Sequence, residues 1–165
     1  MTPRKSGHSD TASLAEESEA EKLRVSFRDN YIDVQYHFVQ FLTEHLVDCL
    51  HAFGGDFDQV IILAVLGQTH LAAFRSANAD PDKAAMAVWI NATRIADVTG
   101  LPRQTVRRKL LALAGRGWVR QNEQRGWALV GSFSDSPVKR DLADLNQRGL
   151  TRLAKLVLAV NPPCA

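Results

Sequence analysis

The stretch Asn91–Val130, NATRIADVTGLPRQTVRRKLLALAGRGWVRQNEQRGWALV, decides how this chain folds. Asn91 offers the short polar side chain that caps a helix, which then runs over Ala92 to Thr99. Gly100 ends it, because glycine adopts the backbone that a tight turn needs. Pro102, with its fixed φ, suits the first turn of the next helix, which extends towards Ala114. Gly115-Arg116-Gly117 closes that helix. Trp118–Gln121 and Trp127–Val130 then flank the polar Asn122–Gly126, a hairpin signal. Upstream, Ala87–Ile90 is an apolar run long enough for one more small strand. Ala96 is small where the two helices cross, and Val106 packs back on the first helix with Ile95, Val98, Leu101 and Leu110.

Two short helices joined by a tight turn and followed by a hairpin make a winged helix-turn-helix. The run IADVTGLPRQTVRRKLLALAGRGWV, Ile95–Val119, resembles bacterial winged-helix transcriptional regulators. Among these the layout is similar to the MarR type, in which helices before and after the winged domain build a dimer. The resemblance implies a mainly α fold, a winged helix-turn-helix with a small β-hairpin wing and flanking N- and C-terminal helices. Two positions depart from it. Pro102 stands where many members carry a Ser, Thr or Asp cap, and Arg94 where a Glu often completes a capping box. Both bear on how the helices dock.

Charge points the same way. The whole chain carries only +2, but Asn91–Arg140 holds ten Lys/Arg against three acids, a net +7. The rest, with ten basic residues against fifteen acids, carries −5. Such asymmetry implies a polyanionic partner for one part of the molecule. The second helix of the motif, about 102–114, is expected in the major groove, its N-terminal residues facing base edges. Those residues are Arg103, Gln104, Arg107 and Arg108, with Thr105 placed for a phosphate. Arginine bonds guanine O6 and N7 together, and glutamine does the same for adenine N6 and N7. Lys109, Arg116 and Arg120 are expected on phosphates, which position the protein without reading sequence. Arg125, at the tip of a wing over 118–130, suits a narrow minor groove, although Glu123 beside it repels phosphate.

The flanks are read by their apolar spacing. Residues 1–24 are rich in Ser, Thr, Glu and Ala and are expected to be a disordered tail. An N-terminal arm over 25–56 carries Val34, Phe38, Phe41, Leu42, Leu46, Cys49, Leu50 and Phe53 at helical spacing, stopped by Gly54-Gly55. Asp56 opens the winged domain, 57–133, with Gln59 three residues on in capping-box fashion. The helix that follows is apolar on most sides through Val60, Ile61, Ile62, Leu63, Val65 and Leu66, and reads as central to the core. It is expected to give way to a turn at Asn78–Pro81. Over 134–165, Ser136-Pro137 starts an amphipathic helix with Val138, Leu142, Leu145, Leu153, Leu156, Val157 and Val160 as its stripe. Gly149 weakens that helix and Asn161–Pro163 ends it. Both arms are assigned to dimerisation, which would set two recognition helices about 34–36 Å apart on a palindromic site.

Other chemistry finds less footing. His45, Cys49, Asp48 and His51 lie close on one helix, and His45 and Cys49 are one turn apart. Both sit on the apolar stripe, where a cysteine behaves as a small hydrophobe. A sensing regulator that switches through Cys49 is a secondary alternative. His37 and His70 read as interface or core residues, and Trp89, Trp118 and Trp127 as packing in the winged domain. No Gly-rich phosphate loop, catalytic triad spacing or paired carboxylate appears, so no enzyme, metal or cofactor is expected. Cys49 and Cys164 suggest no disulfide framework. Neither a signal peptide nor a membrane-spanning apolar run is evident, so a cytoplasmic protein without membrane contact is expected. An effector, if there is one, belongs between the winged domain and the arms, where no residue set identifies it. The reading is a homodimeric, sequence-specific, double-stranded DNA-binding transcriptional regulator. Its alternative is a winged-helix module that docks a protein and binds no DNA.

Overall fold

A computed structural model of the chain describes residues 8–76, 88–132 and 135–160. Helices α1 (His8–Asp29), α2 (Tyr31–Ala52) and α3 (Phe57–Ser76) come first. Strand β1 (Ile90–Asn91) leads into α4 (Ala92–Thr99) and α5 (Arg103–Gly115), followed by β2 (Val119–Gln121) and β3 (Gly126–Leu129). The last helices are α6 (Pro137–Asp141) and α7 (Ala143–Val160). The fold is the mainly helical winged helix-turn-helix read from the sequence. Asn78–Pro81, Ala87, Asn161–Pro163 and Cys164, to which turn, strand, helix-end and thiol assignments attach, lie outside the described residues.

The chain divides into two compact units, His45–Gly149 and the segments on either side of it. The winged unit therefore takes in more chain than 57–133. Cys49 and Phe53 at the end of α2 are buried, and the Phe53 ring meets Trp118 edge-on at 5.5 Å. At the other end, the Asp141 carboxylate accepts a 2.7 Å hydrogen bond from the Trp118 indole N–H. Arg148 pairs with Asp48 at 2.8 Å. These ties fix neighbouring helical segments to the winged core.

That core is built from the faces the sequence pattern selects. Ile62 and Leu66 of α3, Ile95 of α4, Val106, Leu110 and Leu113 of α5 and Trp118 pack together, nearly all without solvent exposure. Helix α3 meets α4, α5 and β3. The sheet has the order β1-β3-β2, antiparallel throughout, with Ile90 opposite Trp127 and Val119 opposite Leu129. By length and composition alone, α3 is also apolar enough to cross a membrane, unlike the sequence reading of no such run. Its Ile62, Leu63 and Leu66 are nonetheless spent in the winged core. A Lys109–Asp56 ion pair stands at its N-terminus.

Local chemistry explains the boundaries. Gly54 and Gly55 take φ of +62° and +84° after α2, and the Gly55 N–H donates to the Leu50 carbonyl at 2.7 Å. Asp56 accepts from both the backbone and the side-chain amide of Gln59, at 3.3 and 2.7 Å. Gln59 thus reaches the Asp56 carboxylate, where a full capping box would use its backbone N–H.

Several expectations change. Helix α1 occupies residues 8–24 of the expected tail; its Ala, Glu and Lys favour helix, and Glu19–Lys22 and Glu21–Arg24 pair along it. The C-terminal helix breaks at Leu142 and runs on through Gly149. Gly149 instead admits the His45 ring, since a Cβ there would lie 3.1 Å from it. Val98 is 53% exposed and takes no part in the core. Trp118 and Trp127 are core residues, but Trp89 is an exposed side chain ahead of β1.

The segments outside the winged unit are α1, α2 as far as Glu44, and α7 from Leu150. Arg152 donates to Glu44 at 2.8 Å, joining α7 to α2. Tyr31, Ile32, Tyr36, Leu150 and Leu158 are large and well exposed here.

Candidate nucleic-acid interface

Helix α4 starts at Asn91, whose Oδ1 accepts the Arg94 N–H at 2.8 Å. It ends where Gly100, at φ +71°, sends its N–H to the Ala96 carbonyl at 2.8 Å. A left-handed residue at this point lets the chain turn within two residues into α5. Pro102 is the N-cap of α5, extended at ψ 138°, and provides no side-chain acceptor. Gly117, at φ +73°, then sends the chain from α5 into the wing.

The helix so placed has two chemically distinct faces. Val106, Leu110 and Leu113 are wholly buried. On the other side Arg103, Gln104, Arg107 and Arg108 are all exposed. Residues at i, i+1, i+4 and i+5 share one face of a helix, so three guanidinium groups and an amide form one contiguous donor surface. Thr105 is half-buried at its margin.

The wing is a hairpin whose turn is held by Asn122. Its Oδ1 accepts the Gly126 N–H at 2.7 Å, its N–H donates to the Gly126 carbonyl, and its carbonyl accepts the Arg125 N–H. Arg125 itself sits at φ +62°, the one non-glycine residue in that region among the described residues. A Cβ on Gly126 next to it would crowd the Trp89 Cβ at 3.0 Å and the Asn122 side chain at 3.2 Å. The exposed Arg125 is therefore fixed at the tip by a turn that carries backbone strain.

Of the cations expected on phosphates, Lys109 is ion-paired internally, and Arg116 is exposed but rests on the aromatic core. Lys109 Nζ lies 2.6 Å from Asp56 Oδ2 and 3.9 Å from Asp58, with only 16% of its side chain exposed. Burial pushes the Asp56 carboxyl up, but hydrogen bonds from Lys109 and Gln59 and the Lys109 charge outweigh it and hold the group below its usual range. Arg116 lays its guanidinium 3.6 Å over the Trp118 ring and 5.5 Å from Phe53, and donates to the Ala52 carbonyl. Lys109 locks α5 to the start of α3, and Arg116 covers the aromatic core. Arg120 remains exposed on β2, 5.2 Å over the Trp89 ring. Packing, the role the sequence favours for Trp89 over base stacking, does not describe this exposed ring. In the sequence Asp56 is legible only as a cap, because a separation of 53 residues hides its pairing with Lys109.

The thiol near the end of α2 lacks the setting of a sensor. Cys49 is 6% exposed, with Sγ 3.8 Å from His45 Nε2. Burial pushes the thiol up and the Asp48 charge adds to this, so the reactive thiolate is disfavoured.

A capped helix-turn-helix, a hairpin wing and an arginine-lined second helix define a winged helix-turn-helix of the DNA-binding type. The IclR helix-turn-helix domain matches residues 71–123, which span the end of α3, α4, α5 and the start of the wing. This supports a DNA-binding transcriptional regulator. No curated protein and no solved structure matches the chain.

Proposed function

We propose that the protein regulates transcription by sequence-specific binding of double-stranded DNA as a homodimer. Helix α5 enters the major groove and the wing lies on the flanking backbone or minor groove. The observation that carries this is the exposure of Arg103, Gln104, Arg107 and Arg108 together on the face of α5 opposite its core residues. Bidentate contacts from such residues discriminate bases by about 1–3 kcal/mol each. Thr105, Arg120 and Arg125 act on the sugar-phosphate frame and the minor groove. Lys109 is left out of the interface because Asp56 already holds it, whereas the exposed Arg116 stays a phosphate contact beside Trp118.

The homodimer reading rests on the helices either side of the winged unit and their exposed apolar side chains, among them Tyr31, Ile32 and Tyr36 of α2. The same layout underlies the likeness to MarR-type bacterial regulators, whereas the matched domain is that of IclR. A cytoplasmic location follows from the proposed work on DNA.

The test is duplex affinity against salt for the native protein and for Arg107→Ala/Arg108→Ala. Binding that falls on a steep log-log slope, with sequence preference lost in the double variant, is the expected result. A native protein that shows no salt-dependent duplex binding at low ionic strength is instead a docking module.

A further inference from the structure

One exposed side chain on the arginine face of α5 is not polar. Leu111 is 64% exposed, while Val106, Leu110 and Leu113 already complete the buried side of the same helix. An isolated surface leucine is ordinary and means nothing by itself. Its position is what distinguishes this one. Leu111 lies three residues beyond Arg108 and four beyond Arg107, so it stands one turn along on their face. Gln104, Arg107, Arg108 and Leu111 follow a spacing of 0, +3, +4 and +7. The base-reading side chains of a homeodomain recognition helix have that spacing. Among the groups displayed on the major-groove edge of base pairs, the thymine C5-methyl is the apolar one.

We infer that Leu111 is a specificity-determining residue that packs against a thymine methyl, next to the purines taken by Gln104, Arg107 and Arg108. This rests on the DNA-binding reading and deepens it. The site so read is mixed: guanine and adenine edges take the polar donors, and a thymine one turn further along α5 takes the leucine. Because the contact is apolar, it adds base preference without adding to the salt dependence of binding.

The probe is a duplex selected by the native protein from a random-sequence library, with each thymine replaced singly by deoxyuridine. That change removes the methyl and keeps the pairing edge. At one or two positions native affinity should fall about fourfold, the effect of one buried methyl. Leu111→Ala should bind the parent duplex more weakly by a similar factor, lose nothing further on replacement at those positions, and keep the native salt slope. Methyl-insensitive binding at every thymine overturns the inference, as does an unchanged loss in Leu111→Ala. A protein that selects and binds a duplex with full salt dependence but ignores the methyl loses only this assignment. One that binds no duplex loses the DNA-binding reading as well.

Discussion

Replacing Lys109 by Met separates two roles that a basic residue on a recognition helix can have. If Lys109 contacted a phosphate, its loss would flatten the log-log salt slope of DNA binding by about 0.9. The structure gives its charge to Asp56 at 2.6 Å and to Asp58 at 3.9 Å, so no counterion release is left for it to supply. What the substitution removes is a charged hydrogen bond, in the range of about 1.5–3 kcal/mol when well sheltered. Here the two side chains are 16% and 23% exposed, and Asp56 keeps its bonds from Gln59, so the lower end applies: about 1–2 kcal/mol. For a unit of this size that is a fall in Tm of roughly 5–10 °C.

The pH dependence has a definite sign. Asp56 titrates below its usual range in the folded chain, so its contribution is present above the unfolded carboxyl value, near 3.9, and fades as pH drops through the folded one. The Tm gap between native and Lys109→Met protein should therefore be full at neutral pH and close on acidification below about 4. Thermal melts across pH, with duplex titrations across salt, measure both. A Tm unchanged by the substitution, together with a salt slope shallower by about one, would refute the reasoning and return Lys109 to the interface.

Two further outcomes follow from single positions. Arg125→Gly relieves the φ of +62° and should raise stability by up to about 1 kcal/mol in denaturant unfolding, while duplex binding loses about 0.9 in salt slope. Cys49, buried and with its thiol pushed up, should alkylate with iodoacetamide far more slowly than a free cysteine at pH 7, and Cys49→Ser should leave DNA binding unchanged under mild oxidant.

Much of the winged motif is local chemistry and could be read along the chain. Asn91 as cap, Gly100 and Gly117 as left-handed turns, and the buried spacing of Val106, Leu110 and Leu113 each depend on neighbours within a few residues. The four polar residues on the exposed side of α5 are legible for the same reason, because helical periodicity alone puts them together. What the chain could not disclose was which cations are already engaged. Lys109 and Arg125 look alike as basic residues in one basic segment. Only packing α5 against α3 brings Asp56, far away in sequence, onto Lys109 and leaves Arg125 exposed at the tip of a turn. Trp89 and Trp118 likewise share a residue type, yet one is 39% exposed and the other has no exposure at all. Trp118 meets the Phe53 ring and donates to Asp141, contacts that form only once the chain has packed. Composition and period assign residues to faces, but the charge left over for a partner is fixed only once the elements have packed.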